Sequence, residues 1–486
     1  LTPIPMTAHH SPFTLLLWKP IFRFWAVFTR LPLFCSFPGA VFSQQPAGTW
    51  DWALSIPGGF SDNTAQKHLS VDCQGDIYTG YRFMERFAVG DTVFEHDSAT
   101  DCFALVKTGR DGHFIRACEI HGKALLVPQF NLSFTVTGNQ DVYLAGTFWG
   151  ELYIGDTVIN PVNGISSGKP DVFLVRLNPD LSPAWTKVTG SSGYDYFHFI
   201  EKGPADNLMM GASYQLLDGN EQNSGKEPDT RPGSPLTSGI KISNLSPDGT
   251  PVWEKELTSV SGHAIGHTQI KCTANGNICL WGDAAGSIMI DGQLLEHPEG
   301  PMENYYISFV ALFDKDGNML NSGFFDQKVY LLDLDMSGNN SFQTLSIMGD
   351  TTVMGPDTIF LPQSWMGYII AAYDQELQPL WYKTIEMPEK VNYFPVYTLD
   401  HLLNLNDTIN FAVNCLNSFI IDSTWVPIGN YPQGCFGRIA SDGRLLDFQV
   451  TKSTQGATIY DLEADPCGNL IFGGEYHQSA FFGNDT

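Results

Sequence analysis

Seven polar residues with regular spacing are the sequence's best candidates for chemistry. Each comes at the start of a strand-like run, and the next residue is mostly apolar. Oxygen ligands suit hard cations, so these residues predict a Ca²⁺ site if the runs begin around one axis. The alternative is that they cap strand starts and hydrogen-bond the neighbouring unit. The set is His68, Ser133, His198, Gln269, Asp333, Asp400 and Asp461, of which the metal-ligand candidates are His68, His198, Asp333, Asp400 and Asp461.

Other chemical motifs are missing from the sequence. It has no nucleophile elbow, phosphate loop or metal-binding pair of His or Cys residues in a convincing setting. Asp314-Lys315-Asp316-Gly317-Asn318 resembles the start of a calcium loop but lacks the glycine and distal Glu of the twelve-residue form. We therefore interpret it as a turn, and we predict neither catalytic residues nor an organic cofactor.

Three tryptophans recur at one place in the pattern: Trp185, Trp253 and Trp381. Quinoprotein dehydrogenases place tryptophans in a comparable docking motif. The simpler interpretation is that an aromatic residue repeated in several units packs one unit against the next.

Nine cysteines occur in the chain, and Cys272 and Cys279 flank the turn Asn275-Gly276. A two-residue hairpin turn there would place the two cysteines opposite each other and permit a disulfide. Two buried free thiols are the alternative.

The elements that must position these residues belong to an internal repeat. The stretch from Gly138 to Val158, GNQDVYLAGTFWGELYIGDTV, recurs at steps of 61 to 70 residues. A fixed period of this kind indicates one supersecondary unit used repeatedly. Counted from Asp141, the equivalent reference residues are Asp76, Asn207, Asn277, Ser341, Thr408 and Asn469.

Each unit contains four strand-like runs separated by turns rich in Gly, Asn and Asp. The pattern predicts an all-β protein, a β-propeller of about seven four-stranded antiparallel blades. An open β solenoid is the alternative. The run around Trp50 and Trp52 resembles the close of later units, so it is expected to complete the last blade from outside. No third run follows Gly483-Asn484-Asp485, so we expect an incomplete last blade and a truncated C-terminus.

Composition and charge limit the function. Of the 486 residues, 16 % are charged, and 47 Gly and 29 Pro suit a turn-rich β protein. The net charge of -26 repels nucleic acid and anionic membranes, so neither is an expected partner. We predict a monomer.

The first 43 residues hold Lys19, Arg23 and Arg30, no acidic residue, and an apolar run from Leu31 to Val41. Val41-Phe42-Ser43 has the small-residue form of a cleavage site. The interpretation is a signal peptide over residues 1–43 followed by a single propeller domain over 44–486. A membrane anchor is the alternative, but Arg23 and Arg30 interrupt the apolar stretch that it needs.

The strand motifs GNxYxxGxF-like, GDTV-like and DxFxxxL-like, with a DGxxxW-like close, resemble the secreted bacterial β-propeller repeat (SBBP-like) proteins. The resemblance covers about residues 48 to 486. It implies export, often by the type IX secretion system, and the cell surface or medium as location. It implies no catalytic residues.

Three classes of function stay open. One is an exported non-catalytic module that binds or adheres to an extracellular glycan or protein, and another is a surface scaffold. The third is an extracellular enzyme, either a polysaccharide lyase or hydrolase or a quinoprotein-like oxidoreductase. A fold does not choose among them. An enzyme should gather polar residues at one end of the axis, whereas a binding module should expose aromatic residues in its loops.

Overall fold

The structure is a computed structural model. It describes residues 69–486 except 84, 97–100, 123–131, 163–168, 192, 215–238, 261–264, 274, 299–305, 327, 338–340, 350, 355–356, 362–365, 388–400, 429–430, 432, 454–455, 477–479 and 482–486. It also describes the backbone of strands β1 (Phe13–Pro20) and β2 (Gly48–Ile56). The described residues are almost entirely strands, with no α-helix and one 3-10 turn at Pro204–Asp206. No helix long and apolar enough to cross a membrane occurs among them.

Seven units follow one another, as the repeat predicts. The first contains β3 (Leu69–Val71), β4 (Ile77–Phe83), β5 (Arg86–Val89), β6 (Thr92–Glu95), β7 (Asp101–Thr108) and β8 (Phe114–Gly122). The second contains β9 (Leu132–Val136), β10 (Val142–Phe148), β11 (Leu152–Ile154), β12 (Thr157–Ile159), β13 (Asp171–Leu177) and β14 (Pro183–Thr189). The third contains β15 (Asp195–Lys202), β16 (Leu208–Tyr214), β17 (Gly239–Leu245) and β18 (Pro251–Ser259).

The fourth unit contains β19 (Ile265–Cys272), β20 (Ile278–Ala284), β21 (Ile288–Ile290), β22 (Gln293–Leu295), β23 (Ile307–Phe313) and β24 (Met319–Phe324). The fifth contains β25 (Val329–Met336), β26 (Phe342–Gly349), β27 (Thr351–Met354), β28 (Asp357–Phe360), β29 (Met366–Tyr373) and β30 (Pro379–Met387).

The sixth unit contains β31 (His401–Leu405), β32 (Thr408–Cys415), β33 (Phe419–Ile421), β34 (Thr424–Val426), β35 (Gln433–Ala440) and β36 (Leu445–Val450), followed by β37 (Lys452–Ser453). The last contains β38 (Ala457–Ala464), β39 (Leu470–Tyr476) and β40 (Ala480–Phe481), which pairs with β37.

Each of the first six units builds an antiparallel sheet of four main strands in chain order. The first main strands, here called the inner strands, contact one another from sheet to sheet, and the last of them contacts the first. The circuit runs β3, β9, β15, β19, β25, β31, β38 and back to β3.

Apolar side chains fill the space between successive sheets, because second and third strands such as β10 (Val142–Phe148) and β23 (Ile307–Phe313) are buried on both faces. One cluster joins the first two units through Leu105, Phe134 and Phe173. A comparable cluster lies at each of the other junctions, including Tyr460 of the last unit against Tyr81 of the first.

Short hairpins link neighbouring units. Strands β11 and β12 of the second unit extend the first sheet by pairing with its outer strand β8. In the same way, β21–β22 joins β18 and β33–β34 joins β30, which makes three six-stranded sheets. The hairpins thereby cover outer edges that would otherwise expose unpaired backbone groups.

The last sheet has the order β2-β1-β39-β38. The run with Trp50 and Trp52 is its outermost strand, as predicted. The expectation of an incomplete last sheet is wrong, because β1 fills the third position by pairing with β39. This strand lies inside the segment predicted as a signal peptide, and cleavage of that segment stays a prediction.

Candidate functional site

The described members of the predicted polar set lie on the inner strands, and cross-strand pairing decides which of them are equivalent. Asp333 pairs with Leu345 and Asp461 with Gly473, in each case the residue four after the unit's reference residue. Ser133 and Gln269 follow the same rule. His68 and Asp400 lie outside the described residues.

Two units depart from the predicted alignment. In the third, the equivalent residue is Phe199, opposite Gly211, because the turn between Lys202 and Leu208 has the same five-residue length as in other units and no extra residue. In the sixth it is His401, opposite Ala412, because the five-residue turn of the other units is reduced to Asn406-Asp407. In these two units the residues at this level are therefore Phe199 and His401, rather than the candidates His198 and Asp400.

Asp333 and Asp461 bond to the next inner strand. The Leu402 backbone N–H donates to Asp333 Oδ2 at 2.8 Å, and the Leu69 N–H donates to Asp461 Oδ2 at 2.9 Å. The second oxygen of each accepts from its own strand, from Leu334 or Leu462. These contacts agree with the alternative that the carboxylates join neighbouring units, and Ca²⁺ binding here stays an untested prediction.

His401 lies between these carboxylates, with Nδ1 3.8 Å from Asp333 Oδ2 and 3.7 Å from Asp461 Oδ1. Its Nε2 hydrogen-bonds the Tyr460 carbonyl oxygen. The structure thus brings Asp333 and Asp461 to one imidazole, a contact that the sequence analysis did not predict.

Lys271 supplies a cation to this region. Its Nζ lies 3.6 Å from Glu201 Oε2. Burial alone would lower the Lys271 pKa, but Glu201, Asp333, Asp335 and Glu463 outweigh it and hold the pKa well above its usual value. The fixed ammonium offsets part of the negative charge that a metal ion would otherwise have to balance.

Burial governs the other inner-strand groups as well. It raises the pKa of Asp335 to about 6, although Lys271 opposes the shift. It lowers the pKa of His198 to about 3, with a further contribution from His267, whose own pKa falls to about 4. His198 Nδ1 lies 3.0 Å from Thr268 Oγ1. Both imidazoles are therefore neutral at pH 7.

The three recurrent tryptophans pack between units, as the simpler interpretation predicts. Trp185, Trp253 and Trp381 lie against Gly249, Gly317 and Gly443, each in the Asp-Gly turn of the next unit. All three glycines have positive φ. Trp381 Nε1 also donates to the Ser441 carbonyl oxygen at 2.7 Å.

The turn interpretation of Asp314 is confirmed. Its Oδ1 accepts from the backbone N–H groups of Asp316 and Asn318 at 2.9 and 2.8 Å, and Oδ2 accepts from Asn318 Nδ2. The carboxylate closes its own turn.

The expectation that a two-residue hairpin places Cys272 opposite Cys279 is wrong, and of the two alternatives the structure favours free thiols over a disulfide. Cys272 pairs with Ile278 and Cys279 with Lys271, so the two side chains point to opposite faces of the sheet. Both cysteines are free. The turn spans Thr273 to Asn277 and is therefore longer than the two residues assumed.

A second group of polar side chains was not anticipated. His96, Glu119 and His121 offer ligand atoms that all lie within 4.8 Å of one another on the outer part of the first unit. Glu119 and His121 are alternate residues of β8 and so share a face. The alternate spacing of Glu119 and His121 could have indicated from the sequence that these two side chains lie together, but nothing in the sequence places His96 beside them.

Comparisons with known proteins give little further guidance. No family model matches the chain, and no curated protein matches it. It is similar to the crystal structure of a protein of unknown function from Bacteroides caccae. The match covers 76 % of this chain and 93 % of that one, at 10 % identity and a TM-score of 0.29. A likeness of this degree carries no argument.

Proposed function

We propose that the seven sheets form a seven-bladed β-propeller that serves as an exported, non-catalytic binding scaffold. Support for the ring comes from the closed circuit of inner strands and from an apolar cluster at every junction. The hydrogen bond from Leu69 to Asp461 is of the same kind as the one from Leu402 to Asp333, although it joins the first unit to the last rather than two consecutive units. A propeller repeats its blades around an axis, so it requires the same kind of contact at each junction between neighbouring sheets.

The inner-strand polar groups support a structural role for the axis. Asp333, Asp461 and Asp335 accept backbone hydrogen bonds, and Lys271 faces several carboxylates at once. Groups committed to joining strands are less available for proton transfer to a substrate.

Exposed aromatic side chains carry the binding proposal. Phe360 on β28 is 62 % exposed and Trp425 on β34 is 51 % exposed, while Tyr431, which follows β34, is 46 % exposed. They belong to successive units and to the hairpins and loops after second strands, where a binding module should display them. Large exposed aromatic groups on a rigid frame are characteristic of ligand contacts.

We propose a neutral polysaccharide as the ligand. Aromatic faces can pack against sugar rings, and the net charge of -26 would repel anionic polymers. Export to the medium or the cell surface, including the type IX route implied by the sequence resemblance, belongs to the same proposal.

Affinity electrophoresis in gels containing neutral polysaccharides tests this function. We expect at least one polymer to retard the chain, and a Trp425→Ala, Phe360→Ala double variant to migrate freely. Leu380→Ala is the matched control, because Leu380 is 57 % exposed on the fourth strand β30 rather than on a hairpin. Retardation that persists in the double variant, or no retardation by any neutral polymer, would reject the proposal.

A further inference from the structure

His96, Glu119 and His121 come from separate segments and meet at the outer strand of the first unit. His96 directly follows β6, and its backbone N–H donates to the Glu85 carbonyl oxygen at 2.8 Å. Glu119 and His121 lie on β8, where the Glu119 carbonyl oxygen accepts from the Gly155 N–H at 3.1 Å. Two hairpins, β5–β6 and β11–β12, thus hold the three side chains in place.

The side chains already lie near ligand geometry. His96 Nε2 is 2.6 Å from Glu119 Oε1, and His121 Nδ1 is 3.7 Å from Glu119 Oε2. Metal–ligand bonds of about 2.0–2.1 Å in a tetrahedral site separate ligand atoms by about 3.4 Å. Small side-chain rotations would therefore bring both nitrogens and one carboxylate oxygen to a common ion.

The position of His121 suggests a missing contact. Its ring stacks on Tyr153 with centroids 4.9 Å apart, and it lies 4.4 Å from the His96 ring. Nevertheless His121 Nδ1 is buried without a hydrogen-bond partner. A buried nitrogen that lies 3.7 Å from a carboxylate oxygen and beside a second imidazole suits a metal ion, which supplies the interaction that is otherwise lacking.

We infer that His96, Glu119 and His121 form a binding site for Zn²⁺ or a related first-row divalent ion. Two imidazoles with one carboxylate select these ions over Ca²⁺ and Mg²⁺, which prefer oxygen ligands alone. Three protein ligands leave a fourth position for water, and side-chain exposures of 14 to 23 % leave the site open to it. The ion would fasten the β5–β6 hairpin to the outer strand β8.

The test titrates the chelator-treated chain with Zn²⁺ and Co²⁺. We expect one equivalent of Zn²⁺ by calorimetry and no comparable binding of Ca²⁺. His121→Gln and His96→Gln should each weaken Zn²⁺ binding by more than the roughly 10–100-fold that loss of an outer partner costs. His113→Gln is the matched control, because the His113 side chain forms an exposed pair with Asp111 away from the site, and this variant should bind Zn²⁺ like the parent chain.

The Co²⁺ absorption spectrum of the unaltered chain gives a readout that does not depend on variants folding. Tetrahedral bands without a thiolate charge-transfer band would support the site. A thiolate band would assign the ion to the exposed Cys73 or Cys467 and overturn the inference. Absence of Zn²⁺ binding, or equal binding by a folded His121→Gln variant, would also overturn it.

Discussion

The bond that closes the circuit of sheets can be tested by Asp461→Asn. Asp461 is buried, and its two oxygens accept from the backbone N–H groups of Leu69 and Leu462, both at 2.9 Å. Asparagine keeps one acceptor oxygen, but its amide nitrogen then faces the other backbone N–H, which loses its acceptor. Hydrogen bonds to a charged group contribute about 1.5–3 kcal/mol each, so losing one and weakening the other should cost about 2–4 kcal/mol.

The expected shift in Tm follows from chain size. The entropy of unfolding is about 2.1 cal/mol/K per residue, so losing about 3 kcal/mol over residues 69–486 lowers Tm by about 3 °C. Scanning calorimetry measures this shift, and amide hydrogen exchange reports directly on the Leu69 N–H, which should lose protection.

Asp442→Asn is the matched control. Asp442 is 67 % exposed and accepts a turn bond from the Arg444 N–H at 3.1 Å, so its loss should cost less than about 1 kcal/mol. If Asp461→Asn matches this control in Tm and leaves Leu69 protected, the closing bond contributes nothing and the reasoning fails.

Two further predictions concern the joints between units and the response to pH. Gly317→Ala should destabilise the chain by more than the roughly 1–2 kcal/mol cost of its positive φ, because the new Cβ would lie 2.9 Å from Trp253. The control is Gly292→Ala, which has the same φ of 80° but nothing within 4 Å of the new Cβ. Thermal melts should therefore show a smaller loss of stability for Gly292→Ala. Equal losses would mean that the Trp253 contact is unimportant. Since the His198 pKa falls from 6.5 to about 3 on folding, the unfolded chain binds the extra proton, and stability from this group is lost as pH falls from about 6.5 toward 3. His198→Asn, which keeps an acceptor for Thr268, should flatten that loss in melts at successive pH values, and an unchanged pH profile would contradict the assignment.

The sequence was sufficient for features set within one unit. The order of strands follows from alternating Val, Tyr, Phe and Thr, and the Asp-Gly turns follow from residues that tolerate positive φ. The packing of Trp253 was also predictable, because the same aromatic recurs at the same place.

Features that depend on register or on partners elsewhere in the chain were not predictable. The turn of the third unit has the common five-residue length, whereas that of the sixth is only Asn406-Asp407, and the periodic pattern does not reveal these turn lengths. The longer turn after Cys272 likewise moves Cys279 out of the opposite position that the disulfide alternative required. The approach of His96 to β8 depends on how a hairpin folds back.

The hairpins that extend the first, third and fifth sheets have a consequence for cooperativity. Strands β11, β21 and β33 of the second, fourth and sixth units each pair with the outer strand of the preceding unit. Opening one of these even-numbered units therefore also removes hydrogen bonds from the outer strand of the unit before it. We therefore expect the first six units to open in pairs rather than singly. Native-state hydrogen exchange should show β8 and β11 losing protection together, and likewise β18 with β21 and β30 with β33. Insertions or deletions that preserve this coupling would add or remove two units at a time.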